Sequence, residues 1–233
     1  MTTLPIVLGE YEVAEDMQIE NLKIVQDTRL YRFTSDSVLL SRFAKAKKGD
    51  KVADFCAGCG IVGFHFYALN KDKNLQITLF EMQESLLSLA KKTIALNGFD
   101  NFNCELGKLQ EIPERYREQF SLVLCNPPYE KADTGFDNDE YEKAVCRKEI
   151  TLTLQEIVKA TAFALKFGGR VAMLHRADRV AEVCHAFKNA NIEIKKMQFV
   201  AGKQGAKPYL VMVEGVKGGK PSCDILPTLI NEK

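Results

Sequence analysis

The sequence predicts a three-layer α/β sandwich, in which helices cover both faces of a mostly parallel sheet. Short apolar runs alternate with stretches of helical spacing along most of the chain. A glycine-rich loop joins one of these runs, Lys51–Phe55, to a helical stretch that begins at Ile61. Two late runs, Ile194–Val200 and Tyr209–Glu214, have no convincing helix between them, so we expect them to form an antiparallel hairpin at one edge.

The composition is that of an ordinary soluble globular protein, with 46% hydrophobic and 27% charged residues in a chain of 233. This length fits one large domain or a domain with an appendage. We expect an N-terminal extension with a hairpin over residues 1–33 and the main domain over residues 34–233. Residues Met1–Met17 carry few periodic signals and are expected to be loosely ordered, with the hairpin over Leu22–Arg32.

Charge and cysteine content narrow the class of protein. The 32 basic and 31 acidic residues leave a net charge of +1, which gives no global sign of nucleic-acid binding, although the segment after Arg170 is locally basic. No apolar stretch is long enough to span a bilayer, and no signal peptide is apparent. The 7 irregularly spaced cysteines then indicate a reducing, cytoplasmic setting.

The remaining elements follow from apolar spacing and turn residues. Thr34-Ser35-Asp36 supplies a cap for a first helix, and the plainest interpretation of Asp36 is that cap alone. Glycine, alone or after Asn, marks several helix ends. In order, we predict a strand over Gln76–Phe80, a helix over Glu84–Leu96, strands over Asn103–Leu106 and Phe120–Cys125, a helix over Glu149–Lys166 stopped by Gly168-Gly169, a strand over Arg170–Leu174 and a helix over Asp178–Asn189.

The glycine loop is the first candidate site. Gly58, Gly60 and Gly63 give the pattern G-x-G-x-x-G between a strand and a helix. This layout lets the backbone approach a nucleotide-like cofactor while helix N–H groups face it. Glu81 ends the next strand, about twenty positions further on, where it is placed to accept hydrogen bonds from ribose hydroxyls. The glycine pattern alone is weak evidence. A surface glutamate is the alternative for Glu81, and the spacing favours ribose binding.

The second candidate site is Asn126-Pro127-Pro128-Tyr129, directly after a predicted strand. Two consecutive prolines cannot continue a sheet ladder or a helix, so the backbone must turn and stiffen there. The Asn carboxamide offers an acceptor and a donor, and the aromatic ring offers a stacking face. This set suits a flat group that bears an amine. A simple strand-ending turn is the alternative.

Together these residues resemble class I S-adenosylmethionine-dependent methyltransferases. Asp54-Phe55-Cys56-Ala57-Gly58-Cys59-Gly60 resembles their first motif, Glu81 matches the second, and the Asn-Pro-Pro-Tyr tetrapeptide matches the catalytic motif of the amino-methylating branch. The resemblance implies a Rossmann-like sandwich with a mostly parallel seven-stranded sheet and a C-terminal antiparallel hairpin. It implies S-adenosyl-L-methionine as the cofactor, held by Asp36, Asp54, Cys56, Gly58, Gly60, Glu81 and Met82. The catalytic residues would be Asn126, Pro127, Pro128 and Tyr129.

The tetrapeptide has a physical role in such chemistry, because an amine on an aromatic ring has a delocalised lone pair. If the Asn126 side-chain oxygen and the Pro127 carbonyl accept its two protons, the nitrogen becomes pyramidal and its lone pair can face the methyl group. Tyr129 would stack on the planar substrate, worth roughly 1–3 kcal/mol for a base.

Flanking motifs resemble a narrower family, the bacterial methyltransferases that modify N6 of the adenine next to the anticodon of a valine tRNA. The matching segments are Phe33-Thr34-Ser35-Asp36-Ser37-Val38-Leu39-Leu40, Arg147-Lys148-Glu149, His175-Arg176, and the ending from Glu214-Gly215 to Ile225-Leu226-Pro227. This resemblance implies a tRNA (adenine-N6)-methyltransferase acting on adenine-37, and we expect a monomer. We expect tRNA phosphates to be contacted by Arg147, Arg176, Lys203 and Lys207, although each is singly explained as a surface charge. His175 is expected to be a satisfied structural histidine, since the mechanism needs no general base.

Two departures from the family pattern leave alternatives open. Cys56 and Cys59 stand where the family more often has Gly or Thr, but a CxxC pair without a second half-site is poor evidence for zinc, so we expect no metal. Gly107-Lys108 stands where many relatives place an Asp that holds the cofactor's adenine amine. The alternative functions are methylation of another amine carrier, namely rRNA guanine, DNA adenine or a release-factor glutamine, and a non-catalytic RNA-binding module.

Overall fold

The computed structural model describes residues 6–30, 35–128 and 152–232. The strands in chain order are β1 (Glu12–Asp16), β2 (Lys23–Asp27), β3 (Lys51–Phe55), β4 (Gln76–Glu81), β5 (Phe102–Leu106), β6 (Phe120–Cys125), β7 (Leu165–Arg176), β8 (Ile192–Ala201), β9 (Leu210–Lys217) and β10 (Asp224–Ile230). The α-helices of this part of the chain are α1 (Ser35–Phe43), α2 (Ile61–Ala68), α3 (Glu84–Asn97), α4 (Leu154–Ala164) and α5 (Val180–Asn189). None of these helices is long and apolar enough to cross a membrane.

The central sheet of the described chain has the strand order β10-β8-β9-β7-β6-β3-β4-β5. Strand β9 runs antiparallel to both β7 and β8, whereas the other neighbouring strands of this sheet pair in parallel. The seven strands from β5 to β8, with the late antiparallel pair, confirm the predicted fold class. Strand β10 adds an eighth strand, parallel to β8, which the sequence pattern did not predict.

Apolar clusters on the two faces of the sheet make the sandwich three layers thick. In β3, Val52 belongs to the cluster under α1, α2 and α3, whereas Ala53 and Phe55 belong to the cluster under α4 and α5. This alternation follows from the period of two in a strand. Asp54 therefore lies on the same face as α2, among buried apolar side chains.

The strand directions bring several loops to one edge of the sheet. The carboxyl ends of β3, β4, β6 and β7 meet there because these strands are parallel. The β8–β9 connection and the end of β10 reach the same edge, since β8 and β10 run in the same direction as β7. This edge is where the candidate site lies, and below we call it the carboxyl edge.

The N-terminal hairpin lies earlier in the chain than predicted. Strands β1 and β2 pair over Glu12–Asp27. The expected loose order is therefore wrong for Glu12–Asp16, and the expected hairpin over Leu22–Arg32 is wrong as well. Residues 1–5 lie outside the described chain. A contact with a distant helix helps to fix the position of β2: Thr93 Oγ1 of α3 accepts from the N–H of Val25 over 2.9 Å. Residues 31–34, which belong to the predicted hairpin and cap, lie outside the described residues.

The boundaries of α4 also differ from the prediction. This helix begins at Leu154, because Thr153 forms a capping box in which its Oγ1 accepts from the N–H of Glu156 over 3.3 Å. It ends before Leu165, which is extended and begins β7, so Gly168-Gly169 does not stop the helix as predicted. Residues 149–151 of the predicted helix lie outside the described part of the chain.

Candidate active site

The glycine loop lies at the carboxyl edge, between β3 and α2. Asp54 Oδ2 accepts a hydrogen bond from the N–H of Gly63 over 2.8 Å and so ties the strand to the first turn of the helix. Gly58 and Gly60 have left-handed φ values of 57° and 89°. A Cβ at Gly60 would stand 2.4 Å from the Phe64 ring, whereas one at Gly58 would meet nothing within 4 Å. The loop is therefore tightly packed underneath and open at Gly58.

Glu81 ends β4 beside this loop and holds it in place. Its Oε2 accepts from the N–H of Gly58 over 2.8 Å, and its Oε1 accepts from the N–H groups of Met82 and Gln83, each over 2.9 Å. Burial raises the pKa of Glu81, and these three donors oppose that rise. The structure thus brings together three of the predicted cofactor residues, Gly58, Glu81 and Met82.

Asp54 is the deepest carboxyl group of the site. Burial raises the pKa of Asp54 to about 7; the N–H of Gly63 opposes the rise and the nearby charge of Glu81 adds to it. Its Oδ1 atom is buried and has no hydrogen-bond partner among the described residues. Both carboxyl groups are buried under the glycine loop, which is open at Gly58, and a positive charge bound there would favour their ionised forms. The residues therefore fit a positively charged, nucleotide-like cofactor.

Asn126 follows β6 directly and lies beside the glycine loop, because its neighbour Cys125 pairs in register with Phe55. Asn126 Nδ2 donates to Ser37 Oγ over 3.3 Å. Asn126 Oδ1 is buried without a partner in the described structure. The side chain therefore offers a held acceptor next to the cofactor loop. Pro127 is buried and Pro128 is half-buried; Tyr129 lies outside the described residues.

Asp36 lies next to Ser37 at the start of α1, and its contacts are with the late strands. Asp36 Oδ1 accepts from Tyr209 Oη over 3.1 Å and from Asn231 Nδ2 over 3.4 Å. Asn231 Nδ2 also donates to Tyr209 Oη over 2.9 Å. We call Asp36, Tyr209 and Asn231 the tyrosine network. The sequence pattern missed Tyr209 and Asn231, since nothing local marks a contact across 173 or 195 positions. Ser37 belongs to the flanking motif Phe33–Leu40, but the sequence pattern predicts no role for it.

Three of the predicted tRNA-contacting residues lie at the carboxyl edge. Arg176 ends β7 and makes a two-point ion pair with Asp178, through Nε at 3.0 Å and Nη2 at 2.6 Å. Lys203 and Lys207 are exposed in the β8–β9 connection. Arg176 and Lys207 share the wall of one cavity, and Lys203 belongs to the same loop. Arg147 lies outside the described residues.

His175 is fully buried beside this region. Its Nδ1 accepts from the backbone N–H of Arg176 over 2.9 Å. Burial, helped by the charge of Arg179, lowers the pKa of His175 to about 4. The imidazole is therefore neutral near neutral pH and has a structural contact, in agreement with the expected role.

The two cysteines of the CxxC pair lie on opposite faces of the sheet. Cys56 packs against the α4–α5 face, and its thiol is hydrogen-bonded to that of Cys125. This contact and burial hold the pKa of Cys56 well above its usual range. Cys59 is buried in the cluster of the other face. The pair is therefore not arranged as half of a zinc site, and no other metal cluster of His, Cys, Asp or Glu occurs in the described part of the chain.

Comparison with known proteins adds independent evidence. Residues 34–201 match the family model described as methyltransferase small domain. A tRNA1(Val) (adenine(37)-N6)-methyltransferase of Bacteroides thetaiotaomicron is 20% identical over 196 residues, which cover 84% of this chain and 81% of that protein. A release factor glutamine methyltransferase of Clostridium acetobutylicum is 29% identical over 157 residues, which cover 63% of this chain and 54% of that protein.

The fold is also that of solved methyltransferases. The crystal structure of a predicted O-methyltransferase, Atu636 from Agrobacterium tumefaciens, superposes with a TM-score of 0.66 at 17% identity, covering 84% of this chain and 86% of that one. At this identity the likeness concerns the fold alone. It agrees with the α/β fold described above.

Proposed function

The chain belongs to the methyltransferase small domain family, and from this premise we propose that it methylates N6 of an adenine in tRNA, at position 37 next to the anticodon of a valine tRNA. S-adenosylmethionine is its cofactor. The observation that carries the choice of an amine is the side chain of Asn126. Its Oδ1 is a buried acceptor with no partner among the described residues, and it is held next to the cofactor loop.

The cofactor is assigned to the end of the site that contains Asp54 and Glu81. When bound, S-adenosylmethionine supplies an electrophilic methyl group on a positively charged sulfur. The open backbone at Gly58 permits close approach, and the buried carboxyl groups favour the positive charge. Cys56 and Gly60 belong to this loop and have left-handed conformations. Met82 directly follows β4 and donates its N–H to Glu81.

The amine is assigned to the other end of the site, at Asn126. Its Oδ1 would accept one proton of the substrate amine and the Pro127 carbonyl the other, which localises the nitrogen lone pair. Because Nδ2 is bound to Ser37, the carboxamide cannot turn its donor toward the amine without losing that contact. The remaining requirement is alignment of the nitrogen with the methyl group.

The proposal of a tRNA substrate rests on the names of the relatives and on the basic residues of the carboxyl edge. The relative from Bacteroides thetaiotaomicron is named for adenine-37 of a valine tRNA. Arg176, Lys203 and Lys207 lie at the carboxyl edge, where they are placed to contact phosphates. Arg147 and Tyr129 keep their proposed roles, in phosphate contact and in stacking on the flipped-out base.

The decisive test is Asn126→Ala. We expect methyl transfer to tRNA to be abolished, while S-adenosylmethionine still binds by calorimetry, because the substitution removes the amine acceptor and leaves the glycine loop intact. Asn189→Ala, on the exposed end of α5, is the matched control and should retain activity. Full activity of the Asn126 variant would overturn the proposal.

A second experiment identifies the carrier of the amine. Purified protein is incubated with labelled cofactor and separate fractions of total RNA, DNA and protein from cells that lack it. We expect label in tRNA as N6-methyladenosine, located by mass spectrometry. The similarity to a release factor glutamine methyltransferase makes labelled protein the informative alternative. Label in DNA or rRNA would likewise contradict tRNA as the substrate.

A further inference from the structure

A cavity of about 420 Å³ opens at the carboxyl edge beside the tyrosine network. Its walls are formed by Asp36, Arg176, Asp178, Lys207, Pro208, Tyr209 and Leu210. This volume lies in the range of pockets that hold one small ligand, such as a single nucleotide. Asn126 is not among the described residues that line the cavity.

The walls carry three chemistries that together match a nucleotide. Asp36 and Asp178 present carboxylates, which accept hydrogen bonds from the amino groups of bases. Arg176 and Lys207 present cations suited to a phosphate. Tyr209 presents an aromatic ring, on which any base can stack. The carboxylates would repel a free anion. An apolar ligand would leave the cations without a binding partner.

The carboxylate of Asp36 is fixed in place. Tyr209 Oη donates to it over 3.1 Å, and Asn231 Nδ2 binds both Asp36 and Tyr209. The whole residue is only 8% exposed. A carboxylate that is held by neutral donors and lines a cavity is preorganised to accept from a ligand. Its orientation does not depend on an exposed ion pair.

The pair of Arg176 and Asp178 is different in character. Both side chains are 45% exposed, at a separation of 2.6 Å between Nη2 and Oδ2. Exposed ion pairs of this kind are weak and are screened by salt. The ion pair with Asp178 is therefore one that a phosphate can compete with. The cavity thus combines a carboxylate that is held by hydrogen bonds, at Asp36, with an exposed ion pair that contains the cation of Arg176.

The cavity adjoins the reacting position through two consecutive residues. Asp36 lines the cavity, and the next residue, Ser37, accepts the hydrogen bond from Asn126 at 3.3 Å. A base at Asn126 and a base in the cavity would therefore be near neighbours. Single-stranded RNA is commonly recognised by bases that are splayed out and read one at a time.

We propose that this cavity is a subsite for the nucleotide that directly neighbours the target adenine in the RNA chain, and that Asp36 selects a neighbouring base that bears an amino group. The inference rests on the proposed function, because it presumes an RNA substrate. It adds a second point of base recognition that makes methylation dependent on sequence context.

The test uses the full chain and stem–loop RNAs that carry the target adenine, with either its 5′ or its 3′ neighbour made abasic or changed to uridine. For the unmodified protein, we expect the abasic change at one of the two neighbours to raise KM roughly tenfold. Uridine at that position should also raise KM, since its base lacks the exocyclic amino group that Asp36 is proposed to bind and offers only its N3–H as a donor. The value of kcat and the affinity for S-adenosylmethionine should change little.

Asp36→Asn keeps an acceptor for Tyr209 but removes the charge. With the unaltered RNA it should show a raised KM, and it should lose most of its discrimination against uridine. Lys166→Ala, at the start of β7 and opposite the carboxyl edge, is the control and should discriminate as the unmodified protein does. If Asp36→Asn does not fold, the RNA series on the unmodified protein decides alone.

Two results would overturn the inference in different ways. If the adenine is methylated with the same KM whichever neighbour is abasic, the subsite is absent while the proposed function stands. If none of the RNAs is methylated, the proposed function fails and the subsite fails with it. Equal discrimination by Asp36→Asn and the unmodified protein would contradict the role of Asp36.

Discussion

Asn126 donates a hydrogen bond from Nδ2 to Oγ of Ser37 over 3.3 Å, joining residues that are 89 positions apart in the chain. The contact connects the start of α1 to the end of β6. Because an amide group has its donor and acceptor on opposite sides, holding Nδ2 also fixes the direction of Oδ1. The orientation of the proposed amine acceptor therefore depends on a serine that lies in a different element.

Ser37→Ala should lower kcat roughly fivefold, since a typical net hydrogen bond is worth about 1 kcal/mol and the Asn126 carboxamide would lose its fixed direction. The affinity for S-adenosylmethionine should stay the same. Single-turnover kinetics and calorimetry measure the two effects. Ser88→Ala, on the exposed side of α3, serves as the control. A Ser37 variant with undiminished kcat would show that the carboxamide is held by something else.

Alanine at Gly60 should mainly reduce stability, whereas alanine at Gly58 should mainly weaken cofactor binding. Gly60→Ala places a Cβ 2.4 Å from Phe64 at a φ of 89°, so it should destabilise the fold by more than the roughly 1–2 kcal/mol of left-handed strain alone. Gly58→Ala should carry only that strain but should weaken cofactor binding, because the methyl group occupies the open face of the loop.

The matched control for Gly58 is Gly98→Ala, after α3. Gly98 has a φ of 65° and likewise nothing within 4 Å of a Cβ. Denaturant unfolding should give the two variants similar losses of stability, whereas calorimetry should show weaker S-adenosylmethionine binding only for Gly58→Ala. Equal affinities for the two variants would place the cofactor away from Gly58.

Asp54→Asn should change how stability depends on pH. Between the ordinary pKa of 3.8 and the folded value of about 7, the folded protein keeps the proton of Asp54 that the unfolded chain releases. This group therefore makes the protein less stable as pH rises through that window. The variant lacks the group but retains an acceptor for Gly63, so by neutral pH it should gain stability on the order of a few kcal/mol relative to the unmodified protein.

Chemical denaturation across that pH range measures the difference. Asp72→Asn is the control, since Asp72 is exposed and its ion pair with Lys73 holds its pKa below the usual range, outside the window. The Asp54 variant should also bind S-adenosylmethionine more weakly. A pH profile parallel to that of the unmodified protein would show that Asp54 is ionised throughout.

The cationic residues of the carboxyl edge should contribute through phosphate contacts. Arg176→Ala, Lys203→Ala and Lys207→Ala should each reduce the slope of log binding constant against log salt concentration by about 1, irrespective of RNA sequence. Filter binding at several salt concentrations measures the slope. Lys166→Ala, at the opposite end of β7 from Arg176, should leave it unchanged. An unchanged slope in all three variants would place the RNA elsewhere.

The cofactor half of the site was predictable because its contacts are local. Asp54, Gly58 and Glu81 lie within one strand–loop–helix–strand unit, and their hydrogen bonds cross only 9 and 23 positions. Glycine spacing and a terminal acidic residue are local signals of that unit. The predicted strands β3, β4, β5 and β6 lie in the structure within a residue or so of their expected bounds for the same reason.

The part of the site around Asp36 was less predictable, because segments that are distant in the sequence form it. Strand β10 contains Pro227 and is mostly exposed, and its register with β8 shifts between Leu226 and Leu229. Such an edge strand resembles coil in sequence. The partner of Asp36 could not be foreseen either, since its side chain suited both a helix cap and a cofactor contact. Only the packing of β9 and β10 shows that it meets Tyr209 and Asn231.

The two parts of the site differ in the sequence separation of their contacts, and this separation affects the order in which they fold. The glycine loop can close once residues up to about Gln83 are available, because the partners of Asp54 and Glu81 all precede or include that position. The tyrosine network must wait for β9 and β10 to join the sheet. Since distant pairings carry the larger loop-closure cost and form slowly, we expect the cofactor half to fold early and the Asp36 cavity to form last.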